Sequence, residues 1–168
     1  MKPLSVIAIG LIIVLVDVPV RGFDVVTDII GWLACFWGLL TMSRLGNWFG
    51  IGLAGAALGA GVSMFSSTAQ NGTLAVLDVI ATFLVMFGAC SGLMQISRET
   101  DPGTASMSNA VRWTLVALLV LTPLSMKFLP QWSLVTLGYL GIAVVVWTLL
   151  LLFTRAGRSY AVPQRTRE

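Results

Sequence analysis

The sequence predicts an all-α fold: a polytopic membrane protein with six transmembrane helices arranged as three helical hairpins. Three observations carry this prediction. Of 168 residues, 57% are hydrophobic and 10% charged, whereas a soluble domain carries about 25% charged residues. The apolar residues gather into long runs, each near the ~20 residues that cross a bilayer as a helix. Basic residues sit at the ends of those runs, mostly at alternate ends, as the positive-inside rule requires of a chain that crosses and returns.

In chain order, Lys2 precedes the first run, Leu4–Val20. Asp17 and Pro19 close it, and no small-x-small cleavage site follows, so it reads as an uncleaved helix rather than a signal peptide. Gly22 suits a tight turn, and Asp24 suits the N-cap of a second helix running to Met42 and ending at Ser43-Arg44. The third helix, about Trp48–Phe65, is rich in small residues. Two rows with four-residue spacing run along it, Gly46-Gly50-Ala54 and Gly55-Gly59-Ser63. Small residues at that spacing let helix backbones approach closely in lipid. Gly50, Gly55, Gly59 and Ser63 are therefore expected to pack against other helices of the bundle, or against another subunit.

Asn71-Gly72 marks the next turn. The fourth helix is expected over about Leu74–Ile96, with Asp78 near its start and Ser97-Arg98 at its end. Arg98–Arg112 reads as the longest loop. A fifth helix follows over about Ala110–Phe128, with Pro123 as a kink and Lys127 snorkelling from its far end. Pro130-Gln131-Trp132 reads as a turn and Ser133–Thr154 as the sixth helix. The transmembrane domain thus covers 1–155, and 156–168 reads as a basic, disordered tail. Trp48, Trp113 and Trp132 fall where interfacial anchors sit. Cys35 and Cys90, inside apolar runs, read as small packing residues.

The hairpins end alike, at Met42-Ser43-Arg44, Ile96-Ser97-Arg98 and Phe153-Thr154-Arg155. The first two matches extend back to Gly38-Leu39 and Gly92-Leu93, and Asp24 aligns with Asp78 at the same offset. A duplicated hairpin explains this pattern; so does the tendency of helices to end in Ser/Thr-Arg at a cytoplasmic surface. With six spans, Lys2, Arg44, Arg98, Arg112, Arg155, Arg158, Arg165 and Arg167 share one side, against Arg21 and Lys127. The majority side is the cytoplasm. The expected location is the plasma membrane, with both termini cytoplasmic.

That topology sends Asp17, Asp24, Asp28 and Asp78 to the outer face. Asp24 and Asp28 lie one turn apart, and like charges so close resist joint ionisation unless a cation intervenes. With Arg21 and Lys127 at the rim, these four carboxylates are candidates for a substrate- or cation-binding mouth. The competing reading makes Asp24 a cap, Asp28 and Asp78 partners of helix dipoles, and Asp17 a partner of Arg21.

The chain contains no histidine, which excludes imidazole catalysis and His-metal sites. No HExxH, GxGD or alcohol-phosphotransferase aspartate motif is present. The sequence therefore predicts no enzyme, no cofactor, no metal site and no nucleic-acid partner. Its expected partners are the lipid bilayer and a membrane protein or second copy. Six short-looped helices, a cytoplasmic N-terminus and a Gly/Ala-rich face make the layout similar in outline to the substrate-binding subunits of energy-coupling-factor vitamin transporters, without a shared motif. The functional expectation is a small transporter or transport subunit. The alternative is a structural or assembly subunit docking through the third helix.

Overall fold

The computed structural model describes the backbone over residues 2–15, 24–66, 72–128 and 131–156, and side chains over 2–15, 28–65, 72–122 and 138–155. Six helices follow in order: α1 (Pro3–Leu15), α2 (Asp24–Met42), α3 (Trp48–Ser66), α4 (Gly72–Ser97), α5 (Pro102–Phe128) and α6 (Gln131–Ala156). No strand occurs among the described residues. Each helix packs on the next, and α6 returns to α1, so the neighbours form a closed circuit. Within α3, α4, α5 and α6 lies a stretch long and apolar enough to cross a membrane, and α1 and the Asp28–Met42 part of α2 are shorter apolar helices. The chain is membrane-embedded by that criterion.

Water-driven burial supplies no force between helices inside lipid, so close packing and interhelical hydrogen bonds must hold such a bundle. The glycines show how. A Cβ on Gly88 of α4 would strike the backbone of Gly52 in α3, and one on Gly55 would lie 2.6 Å from the Leu84 Cβ. Gly92 receives the ring of Phe49, and Gly59 receives the indole of Trp32 from α2. In the α1–α2 pair, a Cβ on Gly10 would lie 2.6 Å from the Gly31 carbonyl oxygen, and one on Gly38 would meet Pro3 and Ile7. The Cys35 thiol donates to the Ile7 carbonyl at 3.6 Å across the same contact. Both cysteines are free and buried, filling space as small side chains do.

These contacts also fix direction. Gly38 lies against Pro3 and Gly31 against Gly10; Gly59 lies against Trp32 and Gly52 against Leu39; Gly92 lies against Phe49 and Gly55 against Ala81. Successive helices from α1 to α4 therefore run antiparallel. The starts of α1 and α3 and the ends of α2 and α4 share one end of the bundle.

Three sequence expectations need correction. The fifth helix begins at Pro102, not near Ala110, so the supposed long loop is only the four-residue turn 98–101. Asp101 caps the helix, since the Thr104 N–H donates to Asp101 Oδ1 at 3.2 Å, and Pro102 occupies the first helical position, where a missing N–H costs nothing. The sixth helix begins at Gln131, so Gln131 and Trp132 belong to it rather than to a turn. A Cβ added to Gly50 would meet nothing within 4 Å, so this glycine packs against no described part of the chain. Gly50 and Ala54 of that row are exposed, while Gly46 meets Gln95 of α4 and Gly55, Gly59 and Ser63 face inward. The first helix is described only to Leu15, so the expected continuation to Val20 lies outside the described residues, as does the tail beyond 156.

Leucine scanning of the glycines checks this packing. Gly59→Leu and Gly88→Leu should each lower stability in mild detergent by about 1–3 kcal/mol or more, the usual cost of overpacking. Gly50→Leu should stay within about 0.5 kcal/mol of the parent, as exposed substitutions do. The readout is the thermal unfolding midpoint of the purified protein.

Candidate functional site

Two polar regions stand at opposite ends of the bundle. The first holds the aspartates. Trp32 packs on Gly59, so Asp28, one turn earlier on α2, stands level with Ser63 on α3. Ala81 and Leu84 pack on Gly55, so Asp78, about one turn before Ala81, stands level with the last turns of α3. The fold thus brings Asp28 and Asp78 to one end, on the two flanks of α3, and both are half-buried. Ser63 is buried between these levels and donates to the Gly59 carbonyl at 3.0 Å. Asp17 and Arg21, and the side chains of Asp24 and Lys127, lie outside the described residues.

The second region lies at the other end, between α4, α5 and α6, and hydropathy gave no sign of it. Asp101 is its hub. Besides capping α5, its Oδ2 accepts from the Thr104 hydroxyl and from Arg155 Nη1, the latter at 2.9 Å. This ion pair joins the start of α5 to the last turn of α6, and each side chain is under one-fifth exposed. Arg155 also adds its positive charge where the dipole of α6 is negative. The sequence signal was Asp101-Pro102-Gly103-Thr104, a cap followed by a proline, hidden by the charges that made the segment resemble a loop.

Several small polar groups are buried on the same three helices. Ser97 and Thr104 are fully buried beside the clasp, and Ser108, Ser91 and Thr148 are fully buried farther along the helices. Thr148 donates to the Val144 carbonyl at 2.8 Å, and its hydroxyl also reaches the Cys90 thiol. The hydroxyls of Ser91, Ser97 and Ser108 have no partner among the described protein atoms. A buried hydroxyl without a partner costs roughly 1–3 kcal/mol, so each of the three favours a polar partner such as water.

Between the two polar ends the core is filled. Trp32, Phe49, Ile7, Leu11, Leu39, Leu93 and Leu152 are fully buried. Among the described residues no three Cys, Asp or Glu side chains gather to hold a metal ion. Comparison with protein-family models, curated proteins and solved structures returned no match.

The clasp can be tested by a double-mutant cycle. Asp101→Asn should cost about 1–3 kcal/mol, because it keeps the cap but removes the charge from the bond to Arg155. Arg155→Gln should cost less, since part of the pair's energy is screened at a partly exposed site. The double variant should cost less than the sum, and additive losses would mean that the two side chains do not interact.

Proposed function

We propose that this chain is a small plasma-membrane transporter, or the membrane subunit of one, that handles a cationic substrate or ion at an outer acidic mouth. The observation that carries this reading is the placement of Asp28 and Asp78. Two half-buried carboxylates flank one helix at one end of an apolar bundle, where negative charge is costly and a bound cation would offset it. In this reading all six helices span the bilayer as three hairpins. Arg44 and Arg98, on the turns after α2 and α4, mark the opposite end as cytoplasmic, with both termini there. Asp17, Asp24, Arg21 and Lys127 complete the outer mouth.

A filled core is what the assembly reading expects, so transport requires passage by rearrangement rather than through an open pore. The Asp101–Arg155 clasp then serves as the inner closure. Transport, rather than catalysis, is the activity that this arrangement suits.

A specific observation favours a second reading. Gly50, Ala54 and Ala57 are exposed along one face of α3 and continue to Gly61, where a Cβ would meet nothing within 4 Å. A subunit that assembles with a membrane protein would dock through such a face.

The test pairs transport with accessibility. Asp28→Asn and Asp78→Asn keep side-chain shape and remove charge. Each should cut cation uptake into proteoliposomes by roughly tenfold, the equivalent of about 1.4 kcal/mol of lost attraction. In Asp101→Asn, Cys90 should react faster with a charged thiol reagent added from the cytoplasmic side, while Cys35 stays inert. Uptake at parental rates in both aspartate variants would end the transporter reading and leave assembly through α3 in front.

A further inference from the structure

Arg112 sits ten residues into α5, about 15 Å from the start of the helix, inside the apolar stretch Pro102–Thr122. An arginine at that position needs acceptors, because a guanidinium presents five N–H donors and stays charged. Among the described residues it finds one. Its Nη2 donates to Asn109 Oδ1 at 2.8 Å, which draws the group back toward the start of α5. The remaining contacts are aromatic: the guanidinium carbon lies 6.0 Å from the centre of the Phe87 ring on α4 and 5.3 Å from that of Trp113. Ring faces attract the cation but accept no in-plane hydrogen bond. Among the described residues no carboxylate pairs with Arg112; Asp101, at the start of its own helix, is engaged by Arg155 and Thr104.

The surroundings indicate where the missing anion comes from. Trp113 is 59% exposed, and Arg112 itself is half-buried. Phe87 stacks on Phe83 with centroids 5.6 Å apart and meets Trp48 edge-on at 6.1 Å. The result is a strip of rings on α4 and α3, those of Phe83 and Phe87 half-buried, with the guanidinium and the exposed Trp113 beside it. Such a surface suits an amphiphile, with its charged group on Arg112 and its apolar part along the rings. A soluble anion would gain only the first contact.

We propose that Arg112, with Asn109 and the rings of Phe87 and Trp113, binds the phosphate of an anionic phospholipid where α4 meets α5. The phosphate oxygens accept the N–H groups that Asn109 leaves unused, in the forked geometry that guanidinium and phosphate share. The glycerol and acyl chains follow the Phe87–Phe83 strip. This site is independent of the acidic mouth and stands whether or not the protein transports.

The experiment uses the full chain in a neutral maltoside detergent. Phosphatidylglycerol, phosphatidylcholine and soluble glycerol phosphate are titrated separately, with bound lipid counted by native mass spectrometry and the unfolding midpoint followed in parallel. The parent should retain phosphatidylglycerol and be stabilised by it well above phosphatidylcholine, with no response to glycerol phosphate. Arg112→Gln should weaken phosphatidylglycerol binding roughly tenfold. Arg112→Lys keeps the charge without the fork and should bind at an intermediate level, which preserves the test if the glutamine variant fails to fold. Arg44→Gln and Arg98→Gln should bind as the parent does. Parental lipid retention in Arg112→Lys and Arg112→Gln, or an equal loss in the Arg44 and Arg98 variants, would overturn the assignment. Stabilisation by glycerol phosphate alone would also overturn it, by identifying a soluble-anion site.

Discussion

The meeting of Gly88 with the backbone of Gly52 sets the distance between α3 and α4, and much of the bundle depends on that distance. In lipid there is no gain from hiding apolar surface from water, so helices adhere where their backbones come close enough for dense dispersion contact. Removing side chains at Gly52, Gly55, Gly88 and Gly92 allows this, and the space is filled from both sides. Phe49 enters over Gly92, and Trp32 of α2 enters over Gly59. The second helix is therefore held to α3 by an indole rather than by a backbone contact. The α1–α2 contact repeats the first device, with Gly10 against Gly31.

The remaining third of the circuit is held differently. Where α4, α5 and α6 meet, apolar packing by Val111, Leu115, Val144, Leu151 and Leu152 is joined by the ion pair of Asp101 with Arg155. Such a pair gains strength from a low dielectric but also has a discrete broken state, in which water takes over the bonds. A glycine seam has no comparable alternative, because separating the backbones forfeits contact without a replacement. The bundle thus joins a glycine-locked portion, α1 to α4, to a portion whose closure rests on Asp101 and Arg155.

The glycines at 38 and 92, aligned by the resemblance between the first two hairpins, occupy comparable places. Gly38 seats Ile7 of the helix before it, and Gly92 seats Phe49 of the helix before it. Each closes its own hairpin at the end where the Ser-Arg pair follows. A hairpin unit with an internal small-to-large contact accounts for this, whether by duplication or by independent use of the same packing.

Composition and run length alone determined the helical class, the membrane setting and the approximate position of every helix, because low charge and long apolar runs have few physical outcomes. The inward placement of Gly55, Gly59 and Ser63 was legible as spacing, but the outward turn of Gly50 was not: both rows look alike until a neighbour occupies one side. The level shared by Asp28 and Asp78 was legible only as two acidic residues near helix starts; the contacts of Trp32 with Gly59 and of Ala81 with Gly55 fixed their common height. The start of α5 escaped the sequence reading because a cap, a proline and several hydroxyls resemble a loop when hydropathy is the guide. Only the tertiary structure supplied Arg155, 54 residues along the chain from Asp101, and the neighbouring helices that bury Thr104 and Ser108. Thr104 is bonded to Asp101 at the start of its own helix, and Asp101 in turn to Arg155 of α6, a partner that one-dimensional hydropathy cannot register.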